Sequence, residues 1–357
     1  MSVLAFFMPS PCNCEDPEHD KTTEVSEAYE LRISGKADKA AEILGELLKT
    51  DSTNAFAYFE LARTKQHMFL GGTQLSAEKG QEIVNLLQQA VNYAPDHEIF
   101  KFYYAYSCFF NAFMSMMMQS PDVREKINLT CDAFESVLQL NPACHVAQLY
   151  LVDIYGILPE EMGGDKAKAS LIASDLDQKD KIFGAMAHAR LMPDDADFVA
   201  HWENVRKEAG DGAQVLEELG RAYLLKSDTE NGTKYFQEAI DKDNSKRYLY
   251  MNLARYHMMS SQQNPDAKEK HLAEAEKQVN NYLQSSPELL PPLKAHAYGI
   301  LALLKMISGD NNGSEEYKGM AVSIDPYYSR ATGHPSKMLF SPPDKVKIQY
   351  DSFFMPF

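Results

Sequence analysis

Apolar residues recur at spacings of three and four from about residue 23 onward, with Ala frequent among them and β-branched runs scarce. That spacing puts the apolar positions on one stripe of an α-helix, whereas a strand would alternate them at two. Breakers interrupt the pattern at short intervals: Gly35, Thr50–Asn54, Gly71 and Gly72, Pro95, Pro121, Pro142, Gly163 and Gly164, Gly210–Gly212, Asp228–Gly232, Asp243 and Asn244, Pro287, Gly309–Gly313 and Pro326. The segments between them suit helices of about 12 to 22 residues joined by short polar turns. The sequence carries no strand–turn–strand signal, so the expected fold class is all-α.

The breakers alternate in kind. One kind, with Gly or Asp-Asn, joins the two helices of a hairpin. The other closes the second helix, at Ser52, Pro95, Pro142, Asn244, Pro287 and Pro326, with gaps of 43, 47, 102, 43 and 39 residues. The gap of 102 spans two units. Helical hairpins repeating at a near-fixed period bury their apolar faces on one another, which predicts a solenoid of about six or seven hairpins. It would occupy residues 23–326, between a lead-in at 1–22 and an irregular tail at 327–357.

One stretch shows the register best. In residues 213–246, AQVLEELGRAYLLKSDTENGTKYFQEAIDKDNSK, with Ala213 as position one, Leu219 and Gly220 fall at seven and eight, and Tyr223 at eleven. Gly232 stands at twenty, Phe236 at twenty-four and Ala239 at twenty-seven. This resembles a tetratricopeptide repeat, with Gly232 and Asn244 departing from the usual Ala and Pro. Weaker copies of its second helix are Ile83, Leu87, Ala90 and Pro95, then Ala275, Val279, Tyr282 and Pro287, and at the start Ala40, Leu44 and Leu47. A further unit at 295–328 keeps Leu301, Ala302, Ala321 and Pro326, while inserts (as at 262–268) and a poor register at 180–210 depart from the family pattern. The resemblance implies a right-handed α-solenoid. A narrower likeness lies at 156–191, where Gly163-Gly164-Asp165 precedes a small-rich helix pair. It is similar to a hairpin of repeat proteins associated with bacterial TRAP-type transporters and of other exported helical-repeat proteins. There the glycines would supply unusual φ and Asp165 would cap the next helix.

Charge narrows the partner class. Acidic residues outnumber basic ones, 51 to 35, for a net −16. Nucleic acid or an anionic membrane surface would need the opposite balance. Five cysteines without a CxxC make neither a disulfide framework nor a zinc cluster. Cys108, Cys131 and Cys144 fall in apolar helical patterns, and Cys12 and Cys14 in the polar lead-in. The opening run Val3–Met8 is too short for a signal h-region and lacks a basic flank, so the sequence as given reads as cytoplasmic. A start codon placed too late would leave such a remnant of an export signal.

Signatures of catalysis are absent: no GxGxxG, GxxxxGK[ST], HExxH, GxSxG or EF-hand loop occurs, and the ten His are dispersed. Neither an enzyme nor a cofactor is expected. Residues 99–118, IFKFYYAYSCFFNAFMSMMM, are apolar nearly all round. They predict a buried helix or, failing that, a Met-rich groove for an apolar ligand or peptide, with Tyr103, Phe110 and Met114 as candidates. Their tyrosines and Asn111 suit lipid poorly, so no membrane span is expected.

The family resemblance implies that first-helix positions 2, 5, 6, 9 and 12–13 line a concave groove. Matched residue by residue, these are Gln214, Glu217, Glu218 and Arg221, then Tyr248, Met251, Asn252, Arg255 and Met259. Arg221 and Arg255 both take position nine and could clamp an anionic group of a partner, or Arg221 could pair with Glu217 or Glu218 within the chain. Co-chaperones of the family hold a carboxylate with a Lys/Asn/Arg set; Asn252 suits, but Glu217 replaces the Lys and defeats that reading. The aromatic tail is expected to pack on the solenoid, with its groove or a second subunit as the alternative. The implied function is a non-catalytic scaffold for a protein or peptide partner, the alternative an extracytoplasmic repeat protein binding a small apolar or anionic solute.

Overall fold

A computed structural model describes residues 23–70, 76–286 and 288–327, with the Leu70 side chain set aside. The expectations for the lead-in with Cys12 and Cys14, for Gly71, Gly72 and Pro287, and for the tail from residue 328 lie outside the described residues. The described residues contain sixteen α-helices and no strand. They fall into two compact units that divide after Asp194.

Unit 1 holds α1 (Thr23–Ile33), α2 (Ala37–Thr50), α3 (Ala55–Leu70), α4 (Ala77–Tyr93), α5 (Glu98–Met117), α6 (Val123–Leu140), α7 (His145–Ile157), α8 (Lys166–Lys179) and α9 (Lys181–Leu191). Consecutive helices pair as hairpins through α7/α8, and α9 packs on both α7 and α8. The α1/α2 hairpin buries Val25, Ala28, Ala40 and Leu44 against Ala57 and Leu61 of α3. Small residues at Ala28, Ala40 and Ala57 let the helix axes approach, and the leucines fill what remains.

Further along, aromatic rings do the filling. Phe59 stacks on Phe100 at 4.6 Å and meets Tyr103 edge-on at 5.0 Å, and Phe134 stacks on Tyr150 at 4.7 Å. Such pairs add a fraction of a kcal/mol to about 1.5 kcal/mol each beyond the area they bury. The helix read as apolar on every side is α5, and α4 and α6 both pack against it. Lys101, Tyr104, Phe109 and Phe113 of α5 are half-buried, and its last turn opens furthest to solvent, where Met117 is 55% exposed and the following Met118 51%. Among the described residues no helix is long and apolar enough to cross a membrane. Cys108, Cys131 and Cys144 are buried and outside any disulfide, and burial pushes Cys108 up to about 12.

Unit 2 holds α10 (Phe198–Ala209), α11 (Ala213–Leu225), α12 (Thr229–Lys242), α13 (Leu249–Gln263), α14 (Lys268–Gln284), α15 (Pro291–Ser308) and α16 (Asn311–Ile324). α10 packs on α11, and α11/α12, α13/α14 and α15/α16 are hairpins. The poor register at 180–210 thus falls on α9 and α10, and the 102-residue gap from Pro142 to Asn244 holds six helices, α7–α12, rather than the four that two units would supply.

Two turns explain themselves. A side chain on Gly220 would run into the Phe236 ring, and one on Gly232 into Leu224, so α11 and α12 can close only because both positions are bare. At the 156–191 hairpin the two glycines differ. Gly163 takes a φ of +102°, but Gly164 lacks a positive φ; its requirement is space, because a Cβ there would strike the Leu158 carbonyl. Asp165 caps α8 by accepting from the Lys168 N–H at 2.9 Å.

Candidate functional site

The site is built in unit 2 from α11, the 3₁₀ turn Asn244–Tyr248 and α13. On α11 the spacing of 214, 217, 218 and 221 aligns four polar side chains on one face. Gln214, Glu217 and Glu218 are buried, and the Arg221 side chain is 14% exposed.

Glu217, wholly buried, is the hub. Arg221 Nη2 donates to its Oε1 at 2.6 Å from one turn along the same helix. Lys246 Nζ, in the 3₁₀ turn, donates to Oε2 at 2.6 Å and to Gln214 Oε1 at 2.5 Å. The Tyr248 hydroxyl lies 2.9 and 2.8 Å from the two carboxylate oxygens and donates its one proton to them. Gln214 completes the net by donating to Glu218 Oε1 at 2.8 Å. Burial alone would push the Glu217 carboxyl up, but Lys246 and Arg221 outweigh it and hold the group below the usual carboxylate range. Burial likewise pulls Arg221 down, and the Glu217 and Glu218 carboxylates more than restore it.

Arg221 is therefore committed to an ion pair within the chain, the alternative weighed against the clamp. Lys246 escaped the sequence reading because it lies in the connection, outside the groove positions. Its signal was the carboxylate itself: a Glu on an inward stripe of α11 requires a cation nearby.

The other sequence candidates separate by depth. Tyr248 and Met251 are buried in unit 2, and Met251 belongs to the core with Leu272, Val279 and Leu301. Tyr103, Phe110 and Met114 are buried in unit 1, so the open end of α5 is Met117 and Met118 instead. Asn252, Arg255 and Met259 are half-buried along α13. Asn252 is distinctive, because its Nδ2 is buried and has no hydrogen-bond partner. Among the described residues no group of three or more His, Cys, Asp or Glu converges on a metal position.

No protein-family model matches this sequence, and no curated protein matches it. Among solved structures it is similar to the YrrB tetratricopeptide protein "with an unusual peptide-binding site", at 12% identity over 63% of this chain and 87% of that one, TM-score 0.29. It is also similar to the human IFIT1 dimer with PPP-AAAA, at 12% identity over 84% and 72%, TM-score 0.31. A third is the Cut9–Hcn1 hetero-tetramer of the APC/C, at 15% identity over 86% and 55%, TM-score 0.35. These values are too low to transfer a ligand or a partner. What makes unit 2 a tetratricopeptide-like array of hairpins is its own packing: bare positions at Gly220 and Gly232, the Phe236 ring against the first, and hairpin following hairpin.

Proposed function

We propose that this chain is a non-catalytic docking scaffold that takes an extended peptide segment of a protein partner along α13. The observation that carries the reading is Asn252, whose Nδ2 is a buried donor without an acceptor. An orphaned donor costs about 1 to 3 kcal/mol, and a peptide carbonyl that displaced the atoms covering it would remove that cost. Arg255 and Met259, half-buried on the same helix, offer a cation and an adaptable apolar contact beside it. The segment that fits is extended, presents backbone carbonyls and carries an acidic and an apolar side chain. The net charge of −16 supports a protein partner over nucleic acid.

The test is to select binding peptides from a random library on the full chain, then titrate the best of them against Asn252→Ala. Affinity should weaken about tenfold, the worth of one hydrogen bond at roughly 1.4 kcal/mol. An affinity unchanged by both Asn252→Ala and Arg255→Glu would remove α13 as the docking face.

A further inference from the structure

The α13/α14 hairpin contains a pairing that the docking reading does not use. His257 of α13 is buried at 4% exposure, and its Nδ1 lies 3.0 Å from Nδ1 of the half-buried His271 of α14. The ring centroids are 5.3 Å apart, close to the longest separation that a 3.0 Å nitrogen contact permits, with the planes tilted by 39°. Each Nδ1 therefore points straight at the other along the line between the ring centres. Two imidazoles chelating a metal would converge on a third point instead. This is a nitrogen-to-nitrogen hydrogen bond, and one proton sits in it.

His257 Nε2 fixes which ring supplies that proton at neutral pH. It is buried without a partner, and a buried N–H with no acceptor is the rarer defect. His257 therefore carries its proton on Nδ1 and donates to His271, whose own N–H is on Nε2.

We propose that the His257–His271 contact is a proton-operated latch between the two helices of the α13/α14 hairpin, closed by one shared proton and opened when both rings are charged. The proton count follows from the geometry. With one added proton the pair carries three N–H groups, one still shared between the facing nitrogens and one on each Nε2, so the contact holds. A second leaves an N–H on each facing nitrogen, which a 3.0 Å separation cannot hold. Separated rings take two protons and the closed latch takes one, so the open form gains up to about tenfold per pH unit below the ordinary imidazole range.

The charged groups acting most strongly on His257 come from α14. Glu274 favours its proton, while His271, Lys277 and Lys270 oppose it. On α13 the neighbouring Tyr256 ring meets it edge-on, and from α12 Thr229 reaches the Tyr256 hydroxyl. Burial dominates and pushes His257 down to about 4. The latch stands whether or not α13 is the docking face; only its effect on a partner rests on that reading.

Amide hydrogen exchange of the full chain between pH 8 and 4.5, corrected for intrinsic rates, tests it. Protection in α13 and α14 should fall below pH 6.5 relative to α11 and α12, by up to about tenfold per unit. His257→Gln should flatten that difference. Because this substitution alters a buried side chain that the fold itself depends on, ring ¹⁵N spectra of the unaltered chain give a second measure. At pH 8 they should show His257 protonated on Nδ1, and loss of protection should coincide with the second proton. Two independent ring titrations with unchanged protection, or a neutral His257 protonated on Nε2 at pH 8, would overturn the latch.

Discussion

Glu60 in unit 1 and Glu217 in unit 2 are the same device built with different cations. Each is fully buried on the first helix of a hairpin, and each is held by one cation from its own helix and one from a neighbouring hairpin. Glu60 takes Arg63 from its own α3 at 3.4 Å and Arg32 from α1 at 2.5 Å. Glu217 takes Arg221 from its own α11 and Lys246 from the turn before α13. One reaches back a hairpin, the other forward. Both stitch successive hairpins together through a buried charge. The chemistry of the outside cation then decides what happens when the carboxylate goes. A stranded guanidinium keeps its charge, whereas a stranded ammonium can shed a proton.

That difference can be broken in order of size. Glu60→Ala removes the carboxylate from two buried guanidinia and should cost the most, about 4 to 5 kcal/mol in denaturant unfolding. Glu217→Ala should cost less, about 3 kcal/mol near neutral pH. The sign of its pH dependence is the sharper readout. In that variant Lys246 sits in the folded state with a depressed affinity for its proton, so the deficit shrinks as pH rises toward the ordinary lysine range. A Glu60→Ala deficit should stay flat over the same span. If both variants track pH alike, the two hubs do not differ as described.

Smaller effects test the scaffold around the hubs. Gly220→Val should overpack against Phe236 and cost about 1 to 3 kcal/mol, with no counterpart at the open Gly45. Asp228→Ala should cost less, because it removes only the two hydrogen bonds accepted from the Asn231 N–H and its side-chain amide at the mouth of α12. Hydrogen bonds to the Asn231 side chain and backbone hold Asp228 below the usual carboxylate range. Its contribution is therefore present above the ordinary carboxyl value and is lost as pH falls through the lowered one, where variant and parent should converge.

The sequence was most legible where one residue answers to one neighbour at a fixed spacing. Gly220, Gly232 and Phe236 could be read from position alone, since hairpin closure depends on the size of each. The covering of α5 was readable too, because a helix apolar on all sides has few other places to go. The Glu217 hub was not. Periodicity says which face a residue takes, but not that a side chain 29 residues later reaches it through a connection. The same blindness hid Arg32 and Glu60, which sit inside otherwise apolar patterns 28 residues apart. At Gly164 the residue type was readable and the reason was not: a crowded carbonyl and an unusual φ both call for glycine.

Asp180 carries a consequence of another kind. Its backbone N–H closes α8 on the Leu176 carbonyl at 2.8 Å, and its carboxylate opens α9 by accepting from Ile182 and Phe183. One residue is the whole joint. An insertion beside it would turn α9 by about 100° against the helices it packs on, since each added residue advances a helix by that angle. Length changes during evolution, inserted tags and protease cleavage should all avoid this point, although it lies at a helix boundary.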